Sequence, residues 1–426
     1  MTSGDSNSSH PLSLALPPRR RRTNHTTRKV IADLFLNDIK APTRNLCMSA
    51  PNLERFQDYP VSRGTASRTS GTFLSRSPHS PLAVLPMSEF DFIIVGQGLA
   101  GTALAWSLRW GGSRVLVIDR EAPVTSSKIA AGLITPITGQ RLVKSWRLDE
   151  LWPIAVQIYR QVEQITATTL FHELPMVRLF STETEVEFFA KRRASAEFLA
   201  LIRQPQPLLS DHEFVIERGG FEMPFAGQLD VRRYLDVSRE TFQRDGGYLT
   251  ADLQPESDLV LDDSGVRLPR LGVQARRMVF CEGAALTTNP WFRDVILKPA
   301  KGEILTVRIP GLTEQRVVHR GVWLVPLGNE NFRVGSTYEW QRLDHTPTVA
   351  GRDEITGKLR EFLRLPFDVL DHHAAVRPIH LNQYPVIGVH SDHRQLAYFN
   401  GLGSKGTLHA PHFARELAHQ LAGPVA

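Results

Sequence analysis

A discontinuous, Rossmann-like α/β nucleotide-binding domain, interrupted by an α+β domain on an antiparallel sheet, is the fold that this 426-residue chain predicts. Three observations carry it. An apolar strand, Phe92–Val95, runs into Gly96-x-Gly98-x-x-Gly101 and a helix-forming run, and a second strand, Arg114–Asp119, ends in an acid. Strands and turns of the same nucleotide-binding kind return near residue 280 and at the C-terminus. Between them, Glu303–Ile309, Val322–Pro326 and Asn331–Ser336 alternate apolar and polar residues with a period of two, as half-buried strands do. The interleaving places 87–146, 227–295 and 370–426 in the nucleotide-binding domain, and 147–226 and 296–369 in the inserted substrate domain.

The glycine fingerprint is the first element with a chemical meaning. Gly96 permits the tight turn, Gly98 admits a pyrophosphate close to the backbone, and Gly101 lets the helix pack on the strand. Leu99 and Ala100 open that helix, whose N-terminus favours an anion. Asp119, with Arg120 beside it, stands where a carboxylate can accept hydrogen bonds from a ribose diol. The loop Ala122–Pro136 follows, and its small residues Ala130, Ala131 and Gly132, with Ser127 just before them, let backbone pass close to a flat ligand. A helix is expected over 146–165, a strand near Met176–Phe180 and a charged helix near Glu183–Ile202. Leu229-Asp230-Val231 opens another helix to about Gln243, ended by Asp245-Gly246-Gly247. One more buried strand leads through Cys281 to Gly283. The last helix, Thr407–Leu421, carries Leu408, Phe413, Leu417 and Leu421 at helical spacing.

Composition narrows the class. Residues 1–86 hold 12 Lys and Arg against 5 Asp and Glu, a net of +7, whereas the remaining residues hold 38 against 39, a net of −1. The basicity thus belongs to the N-terminal extension, and no general polyanion-binding surface is implied for the body. Ser, Thr, Pro and the run Arg19–Arg22 make the extension read as disordered. It fits an organelle transit peptide, and it also fits a chain whose working part starts at Met87; a cytoplasmic location follows from the second reading. Two cysteines, Cys47 and Cys281, form no disulfide framework or metal-ligand spacing. No apolar stretch has the roughly 18–20 residues of a membrane span.

Four segments together resemble the FAD-dependent oxidoreductases of the D-amino-acid oxidase superfamily, which includes glycine and sarcosine oxidases and the flavin domain of a bifunctional tRNA wobble-uridine modification enzyme. They are the fingerprint with Asp119; Ser126-Ser127-Lys128-Ile129-Ala130-Ala131-Gly132; Ala375-Val376-Arg377-Pro378 with Tyr384-Pro385-Val386-Ile387-Gly388; and Asn400-Gly401-Leu402-Gly403-Ser404-Lys405-Gly406. The resemblance covers about residues 88–421 and implies non-covalently bound FAD. It implies that the turn Gly401, Gly403, Ser404, Lys405, Gly406 lies by the pyrimidine end of the flavin, with Lys405 at the substrate. It also implies that Arg377 holds a substrate carboxylate, a task that suits a guanidinium fork. Trp323 stands where that family has a tyrosine over the substrate, which puts small D-amino acids in doubt. Arg333 falls where sarcosine oxidases carry an oxygen-activating lysine, although an exposed strand residue is the plainer expectation.

The activity expected is oxidation of a C–N bond in a small amine or amino acid by hydride transfer to flavin N5, with oxygen or a quinone as acceptor and no metal. One alternative is a tRNA-modifying flavoenzyme that removes a carboxymethyl group, against which the near-neutral body argues. Another is a nicotinamide-dependent dehydrogenase or a non-catalytic nucleotide-binding module. The histidines, including His372, His373, His409 and His412, are expected at the surface or in capping roles.

Overall fold

The computed structural model describes residues 87–422. The expectations for residues 1–86, including the disorder and the arginine run, lie outside the described residues.

Buried β-branched runs with both faces covered read as central parallel strands, and the first sheet is built that way. Ser88–Val95 pairs in parallel with Val115–Asp119 on one side and with Val273–Phe280 on the other. Tyr248–Thr250 extends the first side. Leu396–Asn400 joins Val273–Phe280 in parallel and carries Val386–Val389 antiparallel beside it. Alternate side chains divide the core. Phe92, Ile94, Val117 and Val279 point to one face, under the helices Leu99–Trp110, Leu148–Thr166 and Gly406–Leu421. Ile93, Val95, Leu116 and Met278 point to the other, against Leu253, Leu286 and Phe292.

The helix expected in the inserted domain lies instead with this sheet. Leu151, Ala155, Tyr159 and Val162 of Leu148–Thr166 share the core of the first face, and the Tyr159 hydroxyl donates to the Thr407 carbonyl at 2.7 Å. Its apolar stripe matches the parallel sheet, a partner that sequence order alone does not reveal.

The second sheet has seven strands in the order Asp368–Arg377, Ala300–Arg308, Asn331–Gly335, Val322–Gly328, Val317–Arg320, Met176–Leu179, Gly220–Met223. The expected antiparallel pairing holds except where Val317–Arg320 runs parallel to Met176–Leu179. Residues 370–377, expected in the nucleotide-binding domain, are thus the end of an outer strand of this sheet. One face, with Val177, Val318, Leu324, Val334 and Leu305, is packed against Ile355 and Leu359. Those two belong to the helix Val349–Arg360, which the sequence pattern did not show; Thr348 caps it by accepting from the Gly351 amide at 3.0 Å. The other face looks into a cavity. The long charged helix expected near Glu183–Ile202 is broken into Glu183–Arg192 and Ala196–Leu199, each with its own side-chain cap, Thr182 and Ser195.

Candidate functional site

A cavity of about 890 Å³ runs from the carboxyl ends of the parallel strands to the open face of the second sheet. At the parallel end its wall is mostly backbone. Gly96 has φ +97°, and a Cβ there would lie 2.6 Å from the Cys281 carbonyl oxygen. A Cβ on Gly98 would approach the Ser127 hydroxyl to 3.0 Å. Asp119 sits at the end of its strand, with Oδ2 accepting from the Gln97 amide and Oδ1 from the Glu121 amide, both at 2.6 Å. The carboxylate therefore fixes the fingerprint turn while it lines the cavity. Ser127 crosses from the neighbouring loop, its hydroxyl accepting from the Leu99 amide at 3.1 Å.

The structure brings Gly96, Gly98, Leu99, Ala100, Asp119, Arg120, Ser127, Ala131, Gly132, Gly283, Trp323, Arg377, Gly403, Ser404, Lys405 and Gly406 to this one cavity. Two residues expected beside them do not line it. Gly101 lies behind the turn, where a Cβ would come within 1.9 Å of the Gly96 carbonyl oxygen, so its task is helix–strand packing. Gly401, at φ +74°, packs against the His380 Cβ and the Tyr384 carbonyl and shapes the turn from outside.

At the far end the wall changes to side chains. Arg377 ends its strand with the guanidinium against Gly302, where a Cβ would lie 2.0 Å from Nη2. The Tyr338 ring covers it, 4.4 Å from centroid to Cζ. Nη1 donates to the Thr337 carbonyl at 3.1 Å and Nη2 to the Ser336 hydroxyl at 2.7 Å. Lys405 donates from Nζ to the Thr138 hydroxyl at 3.1 Å. Burial lowers the pKa of both cations, and among the described residues neither meets a carboxylate. Two desolvated cations facing one cavity without a counter-ion create a demand for an anionic ligand.

The segment 336–348 is held by a buried network behind Arg377. Lys301, 1% exposed, donates from Nζ to Asp344 at 2.6 Å and to the Thr346 carbonyl, while Glu303 accepts from the Thr348 amide at 2.9 Å and from its hydroxyl at 2.8 Å. Tyr338 also shares a 2.6 Å hydrogen bond with Ser404, joining this segment to the glycine turn. Trp323 lies on the sheet floor with its indole over Gly335, where a Cβ would be 2.8 Å from Cζ2.

Two expectations about cationic and imidazole groups change. Arg333 is not an exposed strand residue: it is half-buried and donates to the Ala130 carbonyl at 3.0 Å, bracing the loop that precedes Gly132. His409 is neither at the surface nor a cap. It is 3% exposed, neither ring nitrogen has a hydrogen-bond partner, and it packs edge-on to Trp146 at 5.9 Å. Burial above all, then Lys405, Arg147 and His412, hold its pKa down to about 4. His412, in contrast, is a partner of Arg147 at 3.1 Å, and His373 contacts Asp371 at 2.7 Å. His372 lies 2.7 Å from Glu303, inside the buried network.

Sequence reasoning missed Gly302, Thr138, Arg178 and His319, all of which line the cavity. Gly302, between Lys301 and Glu303, carries no motif; only the register Gly302↔Ala375 reveals its place under Arg377. Among the described residues no His, Cys, Asp and Glu group could hold a metal ion, and no helix is long and apolar enough to cross a membrane.

The backbone cradle around Gly96 and Gly98 fits a dinucleotide, and the half-buried cations at the far end fit the flavin and substrate side of the cavity. The comparisons agree. Residues 91–420 match the family model described as FAD dependent oxidoreductase. The bifunctional protein ThiO/ThiG of Trichormus variabilis is 25% identical over 355 residues, covering 75% of this chain and 51% of that protein. The tRNA 5-methylaminomethyl-2-thiouridine biosynthesis bifunctional protein MnmC of Burkholderia ambifaria is 24% identical, covering 74% of this chain and 51% of that protein. This chain therefore spans about half the length of these two relatives. Glycine oxidase from Geobacillus kaustophilus shares the fold with a TM-score of 0.67 at 19% identity, over 78% of this chain and 94% of that one. The match rules out the nicotinamide alternative. This chain belongs to the family of FAD-dependent oxidoreductases, with FAD as its cofactor.

Proposed function

We propose that this protein oxidises the C–N bond of a small amine or amino acid that carries a carboxylate. The observation that carries the reading is Arg377: a half-buried guanidinium, flat on Gly302 under Tyr338, aimed into the flavin cavity without a carboxylate of its own among the described residues. FAD, when bound, would supply the two-electron acceptor for the hydride of the carbon next to nitrogen, and the substrate's N–H proton would leave to solvent as its C=N bond forms.

The chain's own residues do the positioning. Arg377 keeps donors beyond those given to Thr337 and Ser336, enough to hold a carboxylate by charge-assisted hydrogen bonds. Lys405 places a second positive charge at the glycine turn, where negative charge on the cofactor or substrate is stabilised. Trp323 supplies a flat apolar floor. Gly96, Gly98 and Asp119 would hold the pyrophosphate and ribose, and Ser127 to Gly132 would run along the flavin. Oxygen or a quinone would then take the electrons. The relative called glycine oxidase supports the substrate class, and the buried free thiol of Cys281 is consistent with the cytoplasm.

Anaerobic bleaching of the flavin absorbance by a panel of amines, N-alkyl amino acids and D-amino acids tests the reading. Bleaching by carboxylate-bearing members is expected; bleaching by none of them overturns it. A second reading, action on a modified tRNA, draws on the relative named for tRNA biosynthesis and on Ser404-Lys405-Gly406. A tRNA gel shift at moderate salt would favour it, and the body's net charge of −1 predicts none.

A further inference from the structure

The open face of the second sheet carries a row of residues of which the proposed reaction uses only Trp323. Strand pairing sets Ile304 opposite Gly335, Gly335 opposite Trp323, Trp323 opposite His319 and His319 opposite Arg178. Paired residues point to the same face, and Ile304, Trp323, His319 and Arg178 all line the cavity. Arg377 stands over Gly302 at one end of this row; His319 and Arg178 form the other, beyond the Trp323 indole.

That far end is polar, buried and unsatisfied. Arg178 is 6% exposed and donates from Nη2 to Glu185 at 2.6 Å, yet its Nε has no partner. His319 Nδ1 is likewise buried without a partner. Glu185 balances the charge of Arg178, and burial, then Arg178, holds the His319 pKa down to about 3, so Arg178, His319 and Glu185 together carry no net charge at neutral pH. Unfilled hydrogen-bonding groups in such a place are costly unless a ligand fills them. A guanidinium offers donors only, while a neutral imidazole offers one donor and one acceptor. Side by side they match the C(=O)–N–H edge of an amide better than a second carboxylate, which would enter without a cation of its own.

We propose that Arg178 and His319 form a distal subsite for a neutral amide or imide group of the substrate, whose carboxylate end is held by Arg377 and whose middle lies on Trp323. The inference rests on the reading of Arg377 given above. From the strand of Gly302 to that of His319 there are three strand spacings, about 14 Å. Side chains reaching in from both ends shorten the gap to about 10 Å, the length of some three extended residues. The substrate is then an elongated N-substituted amino acid, not glycine itself.

The test uses the FAD-loaded protein and ligands without an amine nitrogen, read by their perturbation of the flavin spectrum. Azelaic acid monoamide, nonanoate and azelate share one chain length and differ only in the distal group. The monoamide is expected to bind about three- to tenfold tighter than nonanoate, the worth of a neutral hydrogen bond, and tighter than azelate. In His319→Leu the monoamide-to-nonanoate ratio should fall to near one, and in His319→Gln, which keeps a hydrogen-bonding group, it should persist. The proposal is overturned by equal affinities in the wild type, by azelate binding tightest, or by no flavin perturbation from the monoamide. A ratio that survives in His319→Leu, or is lost equally in His319→Gln, overturns it too. Because these ligands are not oxidised, failure of the amine panel to bleach the flavin would sink the oxidation reading separately.

Discussion

The two ends of the cavity are made of different material. Around Gly96, Gly98 and Gly132 the wall is backbone, brought close because a side chain has no room: a Cβ on Gly132 would lie 1.9 Å from the Leu229 carbonyl oxygen. Around Arg377, Trp323, Tyr338 and His319 the wall is side chain, held by strand register and a buried ion network. A cofactor of fixed shape can be met by fixed backbone. A substrate is chosen by side chains that can change without disturbing the strands that carry them. The cofactor end should therefore fail completely when altered, and the substrate end should fail by degrees.

The largest effect is expected at Gly101. A side chain there meets the Gly96 carbonyl oxygen within 1.9 Å, so Gly101→Val should push the fingerprint turn away from its helix. The ratio of flavin to protein absorbance in the purified variant should drop to near zero. A variant with full FAD content would break the claim that the backbone builds this end.

A smaller effect, visible through pH, is expected at His409. Its folded pKa of about 4 lies below its usual value of 6.5, so the unfolded chain takes up the proton first. Its contribution is intact above about pH 6.5 and lost as pH falls towards 4, by up to about 3 kcal/mol. Urea unfolding should show a shallower acid loss of stability in His409→Leu than in wild type; parallel curves would contradict the buried, neutral imidazole.

Gly302→Ala should be milder, because the guanidinium that blocks the new methyl is the end of a flexible side chain. Affinity for a carboxylate-bearing substrate, read from anaerobic flavin reduction, should fall about tenfold, equivalent to ~1.4 kcal/mol, with FAD content kept. The smallest effect belongs to Gly357, where nothing lies within 4 Å of an added Cβ and the helix Val349–Arg360 continues through. Gly357→Ala should stabilise the protein by about 0.5–1 kcal/mol in the same urea titration.

This contrast also explains what could be read in the chain. The turn chemistry at Gly96–Gly101, the acid at Asp119 and the loop to Gly132 are local, so spacing along the sequence displays them. The turn at Gly401–Gly406 and the final helix are local in the same way. Gly302 and the row His319–Arg178 are not, because their meaning comes from pairing between strands up to about 140 residues apart in the chain, Arg178 with His319. The helix Leu148–Thr166 showed its apolar stripe plainly, yet the stripe does not name the sheet it covers. His409 stands four residues before Phe413, on the line through Leu417 and Leu421, but an imidazole does not announce burial as an apolar side chain does. The final helix packs against both Leu99–Trp110 and Leu148–Thr166, so its buried face is wider than one stripe and takes in the imidazole.

The most direct test of the central claim compares a carboxylate-bearing amine with its decarboxylated counterpart, for example sarcosine with dimethylamine. The measurement is the apparent Kd for anaerobic flavin reduction in wild type and in Arg377→Ala. The wild type should favour the carboxylate by about 100-fold or more, close to 2.7 kcal/mol, and Arg377→Ala should erase that preference. A preference of the same size in Arg377→Ala would show that the carboxylate is held elsewhere.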